Sequence, residues 1–433
     1  MKVLIIGSGG REHALAWKAV NCRQVDTVFV APGNAGTALE PGVQNIDIDV
    51  MDIDKLLEFA QREQIDLTIV GPEAPLVAGI VNSFNGAGLS CFGPTKEAAQ
   101  LEGSKSFAKA FMLRHHIPTA AYACFTDPEV AVSHLERIDY PAVIKADGLA
   151  AGKGVIIVKS YSEGKETVED MLTADTFGSA GSMIVIEEFL KGEEASFICM
   201  VNGIDVLPMA SSQDHKSAFD GDVGPNTGGM GAYSPSPLVD KAMHDRIMED
   251  VVMPTVTGMA AEGMPYTGFL YAGLMIGEDR VPNVVEFNCR FGDPEAQPVL
   301  SRLNSDIVQH CMAAVNGGLA KETAEWDPRP CLGVVMAASG YPGSYTKDHE
   351  ISGLQNETPG TRVFHAGTRI DGGKVLTSGG RVLCVTACGE TVADAQALAY
   401  QRAAGINWSG AWFRRDIGHR AVSRETRVRR PDG

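Results

Sequence analysis

The sequence predicts an α/β and α+β protein of several domains, and three observations carry that reading. The chain has 433 residues, and single hydrophobic cores stop growing at about 250–300 residues. The first hundred residues alternate short β-branched runs with helical stretches, the pattern of a doubly wound sheet. After Trp326 the chain turns to strands joined by glycine turns, followed by one late helix, which reads as a small C-terminal α+β domain. Composition narrows the class. Hydrophobic residues make up 44% and charged residues 21%, as in soluble globular proteins. The formal charge of −17 comes with no basic stripe in the body of the chain, which argues against a nucleic-acid surface. Phosphate groups would then be held by local devices: backbone nests, a few Lys or Arg, and metal. Nine scattered cysteines show no C-x-x-C and no zinc spacing, so they read as free thiols in a reducing cytoplasm. The opening V-L-I-I is too short for a signal peptide. No apolar run approaches the ~18 residues of a membrane span.

In chain order, Val3–Ile6 is a buried strand, then Gly7-Ser8-Gly9-Gly10, then a helix from Arg11. That order points backbone N–H groups and a helix N-terminus at an anion. It is not a dinucleotide fingerprint, because Glu12 stands at the third glycine and the strand Val28–Val30 ends without a ribose-binding acid. A phosphate-bearing substrate fits better. The strand Asp66–Val70 leads into Gly71-Pro72-Glu73. Ligands of open α/β sheets sit at such ends, so Glu73 is either a site residue or a helix-start carboxylate. Residues 96–118 read as helix up to Ile117-Pro118. The strands Ala142–Lys145 and Val155–Val158 flank Gly148, Gly152, Lys153 and Gly154. The spacing is not that of a Walker A loop, but a Gly/Lys hairpin tip can fold over phosphates. Ile184–Ile186 runs into Glu187, Glu188, Leu190 and Glu194, where backbone groups suit an adenine edge and a carboxylate suits a ribose. An acidic connector is the plainer reading of any one of them. Phe197–Val201 and Val206–Met209 form a hairpin. Next come Asp214, His215 and Lys216, then a glycine-dense loop from Gly224 to Tyr233 that lets backbone approach a small ligand. Residues 240–262 and 296–317 read as helices, and Thr391 with Asp394 is a capping box. The C-terminal domain shows no catalytic cluster, and its basic end, Arg424 to Arg430, reads as a solvated tail.

The most informative stretch is Val284–Glu295, V-V-E-F-N-C-R-F-G-D-P-E. Alternation puts Glu286, Asn288 and Arg290 on one strand face and Phe287, Cys289 and Phe291 on the other. A carboxylate and an amide oxygen suit a hard cation that takes its remaining ligands from phosphate and water. Arg suits a phosphoryl or carboxylate group beside it. Alone, the stretch could equally be a half-exposed strand with a surface ion pair.

Taken in order, eight segments resemble one family: Gly7–Ala14, Ala31–Gly36, Gly71–Leu76, Ile144–Val155, Glu187–Leu190, Ser212–Lys216, Gly224–Tyr233 and Glu286–Glu295. The chain is similar to the ATP-grasp ligases, and among them to the phosphoribosylamine–glycine ligase family, from residue 1 to about 422. The resemblance implies an N-terminal pre-ATP-grasp domain at 1–103 on the phosphoribosyl side. It implies an ATP-grasp region at 104–325 with a lid at about 120–190, a C-terminal domain at 326–422 and a basic tail at 423–433. It also implies ATP, Mg²⁺ (with Mn²⁺ as the alternative), and the substrates glycine and 5-phosphoribosylamine, handled by a cytoplasmic monomer of purine biosynthesis. By the family's layout Lys105, Lys145 and the Gly148–Gly154 tip would reach ATP phosphates. Glu187, Glu188 and the Leu190 backbone would meet adenine, and Glu194 the ribose. Glu286 and Asn288 would hold metal, with Arg290 and Lys145 beside the transferred group. Gly9, Gly10, Arg11, Gly33, Asn34 and Glu73 would face the phosphoribosyl substrate. Asp214, Lys216, Asn226, Thr227 and Gly228 would face glycine or its acyl phosphate, and Asp293 the glycine ammonium. One departure is Leu274, at a position where several relatives carry a metal-binding carboxylate. The competing readings are another ATP-grasp carboxylate ligase or a biotin-type carboxylase, and, from a different class, a nucleotide-binding oxidoreductase or sensor.

Overall fold

A computed structural model describes residues 1–149, 154–173 and 181–429. The N-terminal unit is a five-stranded parallel sheet ordered Val43–Asn45, Thr27–Pro32, Lys2–Gly7, Leu67–Val70 and Cys91–Phe92. Its central strands are apolar on both faces and buried, as a sheet covered by helices on both sides requires. The order reverses between Lys2–Gly7 and Leu67–Val70, so the Gly7–Gly10 and Gly71–Glu73 loops leave the sheet at its switch point. This is where open α/β sheets place ligands.

Two four-stranded antiparallel sheets follow. The hairpin Ala142–Ala146/Val155–Val158 pairs with Ile184–Glu188, and beyond it Tyr122–Phe125. The helices Pro128–Leu135 and Tyr161–Thr173 bury Leu135, Val168 and Met171 against Ile144 and Ile186. The second sheet is ordered Asp205–Pro208, Glu193–Asn202, Thr267–Ile276 and Pro282–Asn288. Its core face, with Phe197, Leu270, Leu274 and Phe287, shares a cluster with the N-terminal unit. The last sheet is ordered Gln213–Asp214, Gly231–Ser234, Cys331–Ala337, Arg381–Cys388 and Thr361–His365. Two segments from the middle of the chain therefore complete the C-terminal sheet.

Five expectations need revision. The 96–118 stretch is two helices, Gln100–Gly103 and Lys105–Arg114, because Ser104 is extended and caps the second by accepting from Phe107 N at 3.1 Å. Residues 296–317 split into Ala296–Arg302 and Ile307–Val315, the second capped by Asp306, which accepts from Gln309 N at 2.9 Å. The 240–262 helix contains a π-helical turn, Met248–Val252, just before Pro254, whose missing N–H and ring bulk break the regular ladder. Part of the glycine-dense loop is a hairpin, with Val223–Asn226 paired to Ser217–Phe219. Within the described residues, the basic end is not a solvated tail. Residues His419–Arg429 are helical. Arg424 and Arg420 reach Glu193 and Asp222, and Glu425 accepts from Val392 N at 2.8 Å. Single-sequence patterning sees the basic run and not the acidic partners that fold it back.

Candidate active site

The strand Pro282–Asn288 forms the floor of a cleft of about 400 Å³ between the sheets. Glu286 and Asn288 point into it, and Phe287 packs into the core on the other side. Arg290 follows as the strand ends. Its guanidinium is held by Glu102 (Nη2 to Oε1, 3.0 Å) and Glu73 (Nε to Oε2, 3.3 Å). Glu102 is fixed in turn by the Cys289 N–H, which donates to Oε2 at 2.6 Å. Burial pushes the Glu102 carboxyl up to about 7, against the pull of Arg290. Burial works the same way on Glu73, but Arg290 and Arg11 outweigh it and keep its pKa low.

Four lysines converge on the same space. Lys145 and Lys109 share the Glu187 carboxylate, at 2.9 and 3.0 Å, all three being buried. Lys145 also donates to Val285 O at 3.0 Å, which ties the sheet of Ala142–Ala146 to the floor strand. Lys105, at the start of its helix, donates to Gly148 O at 3.0 Å, and burial lowers its pKa. Lys216 bridges Glu194 at 3.1 Å and Glu286 at 3.3 Å. Burial opposes the charge on Lys216, but Glu194, Glu286 and Asp214 raise its pKa well above the ordinary value. Lys216, chiefly, holds Glu286 down at about 2. Asp214 has the opposite fate: burial pushes its carboxyl well up, and Glu295, Glu194 and Glu286 add to the effect.

A buried ionic cleft is tolerable only when its charges are paired. Here each cation already has a carboxylate or carbonyl. A polyanion entering with its own cation could take over those partners, with Glu286 ionised and Asn288 offering an amide oxygen for the metal. Both are hard oxygen donors on one face, which fits Mg²⁺ or Mn²⁺. Leu274 lies in the core, and the residue opposite Glu286 across the sheet is Gly273. Acids from other elements also line the cleft, among them Glu194 and Asp214 from strands and Glu295 from the turn before Ala296–Arg302. Glu295 accepts from Ser196 Oγ at 3.1 Å.

Most of the residues singled out from sequence meet in this cleft, including Arg11, Glu73, Asp214, Gly154, Asp293 and the Asn226–Gly228 turn. Others do not. Gly9 N donates to Glu12 Oε2 at 2.6 Å, so that N–H is spent within the turn. Gly10 sits against Gln297, and Gly33, at φ +74, leaves its space to the Asn45 side chain. Asn34 caps the helix Ala35–Leu39 and donates to Ser8 O and His365 O at 2.9 and 2.8 Å. Gly148 contributes a carbonyl. Glu188 is exposed at the end of its strand and Leu190 lies half-buried beyond it. Gly152 and Lys153 lie outside the described residues.

Five cleft residues escaped the sequence reading: Glu102, Lys109, Tyr271, Glu295 and Arg381. Lys109 carried a signal, standing four residues after Lys105 on one helical face. Arg381 carried none. It comes from the C-terminal sheet, and its Nη1 donates to Gly228 O and Asp293 O, both at 2.6 Å. One side chain thus pins the Asn226–Gly229 turn to the Gly292–Glu295 turn, and Asp293 Oδ1 lies 3.6 Å from its Nη2. Asp293 stays ionised because Arg381 and Arg11 outweigh its burial.

Two outcomes follow from this geometry. Arg381→Ala is expected to lower kcat/KM by about 10- to 100-fold, the effect of losing roughly 1.4–2.8 kcal/mol of positioning, with partial recovery in Arg381→Lys, read by steady-state kinetics. Glu286 titrates near 2 when folded against an ordinary 4.5. Its depressed pKa stabilises the fold above about pH 4.5, and that stability is lost as pH falls toward about 2. Denaturant titrations across that window should show a shallower acid loss in Glu286→Gln than in the parent.

Family models match almost the whole chain: the N domain of phosphoribosylglycinamide synthetase at residues 1–102, its ATP-grasp (A) domain at 103–296 and its C domain at 331–420. The phosphoribosylamine–glycine ligase of Allochromatium vinosum is 62% identical over 98% of this chain and 100% of its own length. That of Vibrio cholerae is 61% identical over 98% and 99%. The crystal structure of the Thermotoga maritima phosphoribosylamine–glycine ligase superposes with a TM-score of 0.85 at 35% identity, covering 96% of this chain and 100% of that one. A biotin carboxylase from Campylobacter jejuni shares the fold, at a TM-score of 0.73 and 15% identity over 95% and 92%. With three domain models in order and relatives this similar end to end, the chain belongs to the phosphoribosylglycinamide synthetase family, an ATP-grasp family.

Proposed function

We propose that the chain joins glycine to 5-phosphoribosylamine at the expense of ATP, giving glycinamide ribonucleotide, ADP and phosphate, as a step of purine biosynthesis. The observation that carries this is the floor strand, where Glu286, Asn288 and Arg290 face Lys105, Lys145 and Lys216 in one cleft. Relatives about 60% identical carry the name phosphoribosylamine–glycine ligase.

Phosphoryl transfer is mostly positioning and charge neutralisation. Lys105 and Lys145 bind the ATP phosphates, with Gly148 and Gly154 beside them. The strand ending at Glu187 and Glu188, with the Leu190 backbone, meets the adenine, and Glu194 the ribose. Glu286 and Asn288 hold a divalent cation, Mg²⁺ in our reading, which neutralises charge on the phosphate oxygens. The glycine carboxylate attacks the γ-phosphorus, and Arg290 stabilises the charge that develops there. The amine of phosphoribosylamine then attacks the glycyl carbon and phosphate leaves. Asp293, Asp214 and the Asn226–Gly228 turn orient the glycine. Arg11 and Glu73, at the switch point, face the phosphoribosyl group. Closure of the cleft protects the acyl phosphate from water. The proposal includes monomeric, cytoplasmic operation. Two observations accompany it: among the described residues no helix is long and apolar enough to cross a membrane, and the cysteines are free. The reading also keeps the lid at about 120–190 and the domain boundaries expected from the sequence.

ADP release measured with ATP, glycine and phosphoribosylamine should exceed background only when all three are present. Release driven instead by bicarbonate or another carboxylate would favour the carboxylase or other-ligase reading. Glu286→Ala should reduce turnover by at least about 10³-fold, the scale of losing a main electrostatic element, with circular dichroism unchanged. Lys145→Ala should raise KM for ATP and leave the choice of amine alone.

A further inference from the structure

Away from the cleft, the strands Cys331–Ala337 and Arg381–Cys388 place two thiols opposite each other. Cys331 is the register partner of Cys388 in this antiparallel pair. The next pair along, Pro330 with Gly389, is the hydrogen-bonded one, since Gly389 N donates to Pro330 O at 3.1 Å. Cys331 and Cys388 therefore occupy a non-hydrogen-bonded position, where Cα atoms lie about 4.5 Å apart and side chains are closest. Disulfides span Cα separations of about 4.4–6.8 Å. The Cys331 thiol beside it lowers the Cys388 pKa, against the effect of burial. Cys331 is fully buried, and Cys388, at the strand end, is partly exposed. Arg329 and Arg302 lie near Cys388, with Asp327 the acid beside them, paired to Arg329 at 2.7 Å. Of the other cysteines, Cys124 is exposed and Cys384 is buried.

We propose that Cys388 and Cys331 form a reversible redox pair, oxidised by hydroperoxides to a cross-strand disulfide. The Cys388 thiolate, favoured by its thiol donor and the two guanidiniums, attacks the peroxide O–O bond. One oxygen is transferred to give a sulfenic acid, and the other leaves as an alcohol or water. The Cys331 sulfur then attacks the Cys388 sulfur. The S–S bond forms, the S–O bond breaks, and the hydroxide takes the Cys331 proton and departs as water. Overall, two thiols and one hydroperoxide give a disulfide, an alcohol (water, for hydrogen peroxide) and water, each sulfur losing one electron and each peroxide oxygen gaining one. A dithiol returns the pair to the reduced state. The bridge would clamp the central strands of the sheet whose Arg381 reaches the catalytic cleft.

The test is titration of the intact protein with hydrogen peroxide, followed by alkylation and peptide mass mapping. The expected result is a Cys331–Cys388 cross-linked peptide, two hydrogens lighter than the sum of its parts and abolished by dithiothreitol. In Cys331→Ser the same treatment should leave a sulfenic acid on Cys388 that dimedone traps. Oxidation confined to Cys124, or Cys388 sulfinic acid formed while Cys331 still alkylates in the parent protein, would overturn the proposal. Because the mapping on the parent protein is decisive, it does not depend on the variant folding.

Discussion

The structure turns on charge compensation in a closed space. Lys105, Lys109, Lys145, Lys216 and Arg290 are all drawn into one cleft. Cations buried without partners cost several kcal/mol each. The fold answers with Glu187, Glu194, Glu286, Glu73 and Glu102, each on a different element or at a different depth. Glu187 serves two lysines at once, which ties the helix Lys105–Arg114 to the sheet of Ala142–Ala146. Lys216 serves two glutamates, which ties the loop after Gln213–Asp214 to the floor. These contacts balance the charges of the cleft within the protein itself.

That constraint explains why four sheets must meet. The N-terminal switch point supplies Arg11 and Glu73, the central sheets supply the floor and Lys145, the helix Lys105–Arg114 supplies Lys105 and Lys109, the loop after Gln213–Asp214 supplies Lys216, and the C-terminal sheet supplies Arg381. Arg381 spends its hydrogen bonds on backbone carbonyls and so sets the distance between two turns. The C-terminal helix adds a further brace. Glu193 points outward to Arg420 and Arg424, and its neighbour Glu194 points inward to Lys216. Adjacent residues on a strand face opposite ways, so a clamp on one aims the other.

Much of this was legible in the residues. Alternation in Val284–Arg290 fixed the polar and core faces, and the glycine-flanked hairpin at 142–158 was visible from its two β-branched runs. The Thr391 cap was visible as well, with Asp394 N donating to Thr391 Oγ1 at 3.1 Å. Helix breaks at Ser104 and Leu303 were not, because each depends on a cap or a distant carbonyl. The role of Asn34 was misleading in sequence: it sits in a glycine-rich segment that looks ligand-facing, and it spends its side chain on a helix cap and on the Ser8 and His365 carbonyls. Arg381 and Glu102 were illegible, since their meaning lies wholly in contacts with residues more than eighty positions away.

The central claim is that the cleft moves a phosphoryl group onto a carboxylate before the amine attacks. Turnover with glycine carrying ¹⁸O in its carboxylate tests it directly. The account predicts one ¹⁸O atom in the phosphate released per turnover, seen by mass spectrometry or by the ³¹P isotope shift. Unlabelled phosphate, formed with normal yield of the ligated product, would contradict it.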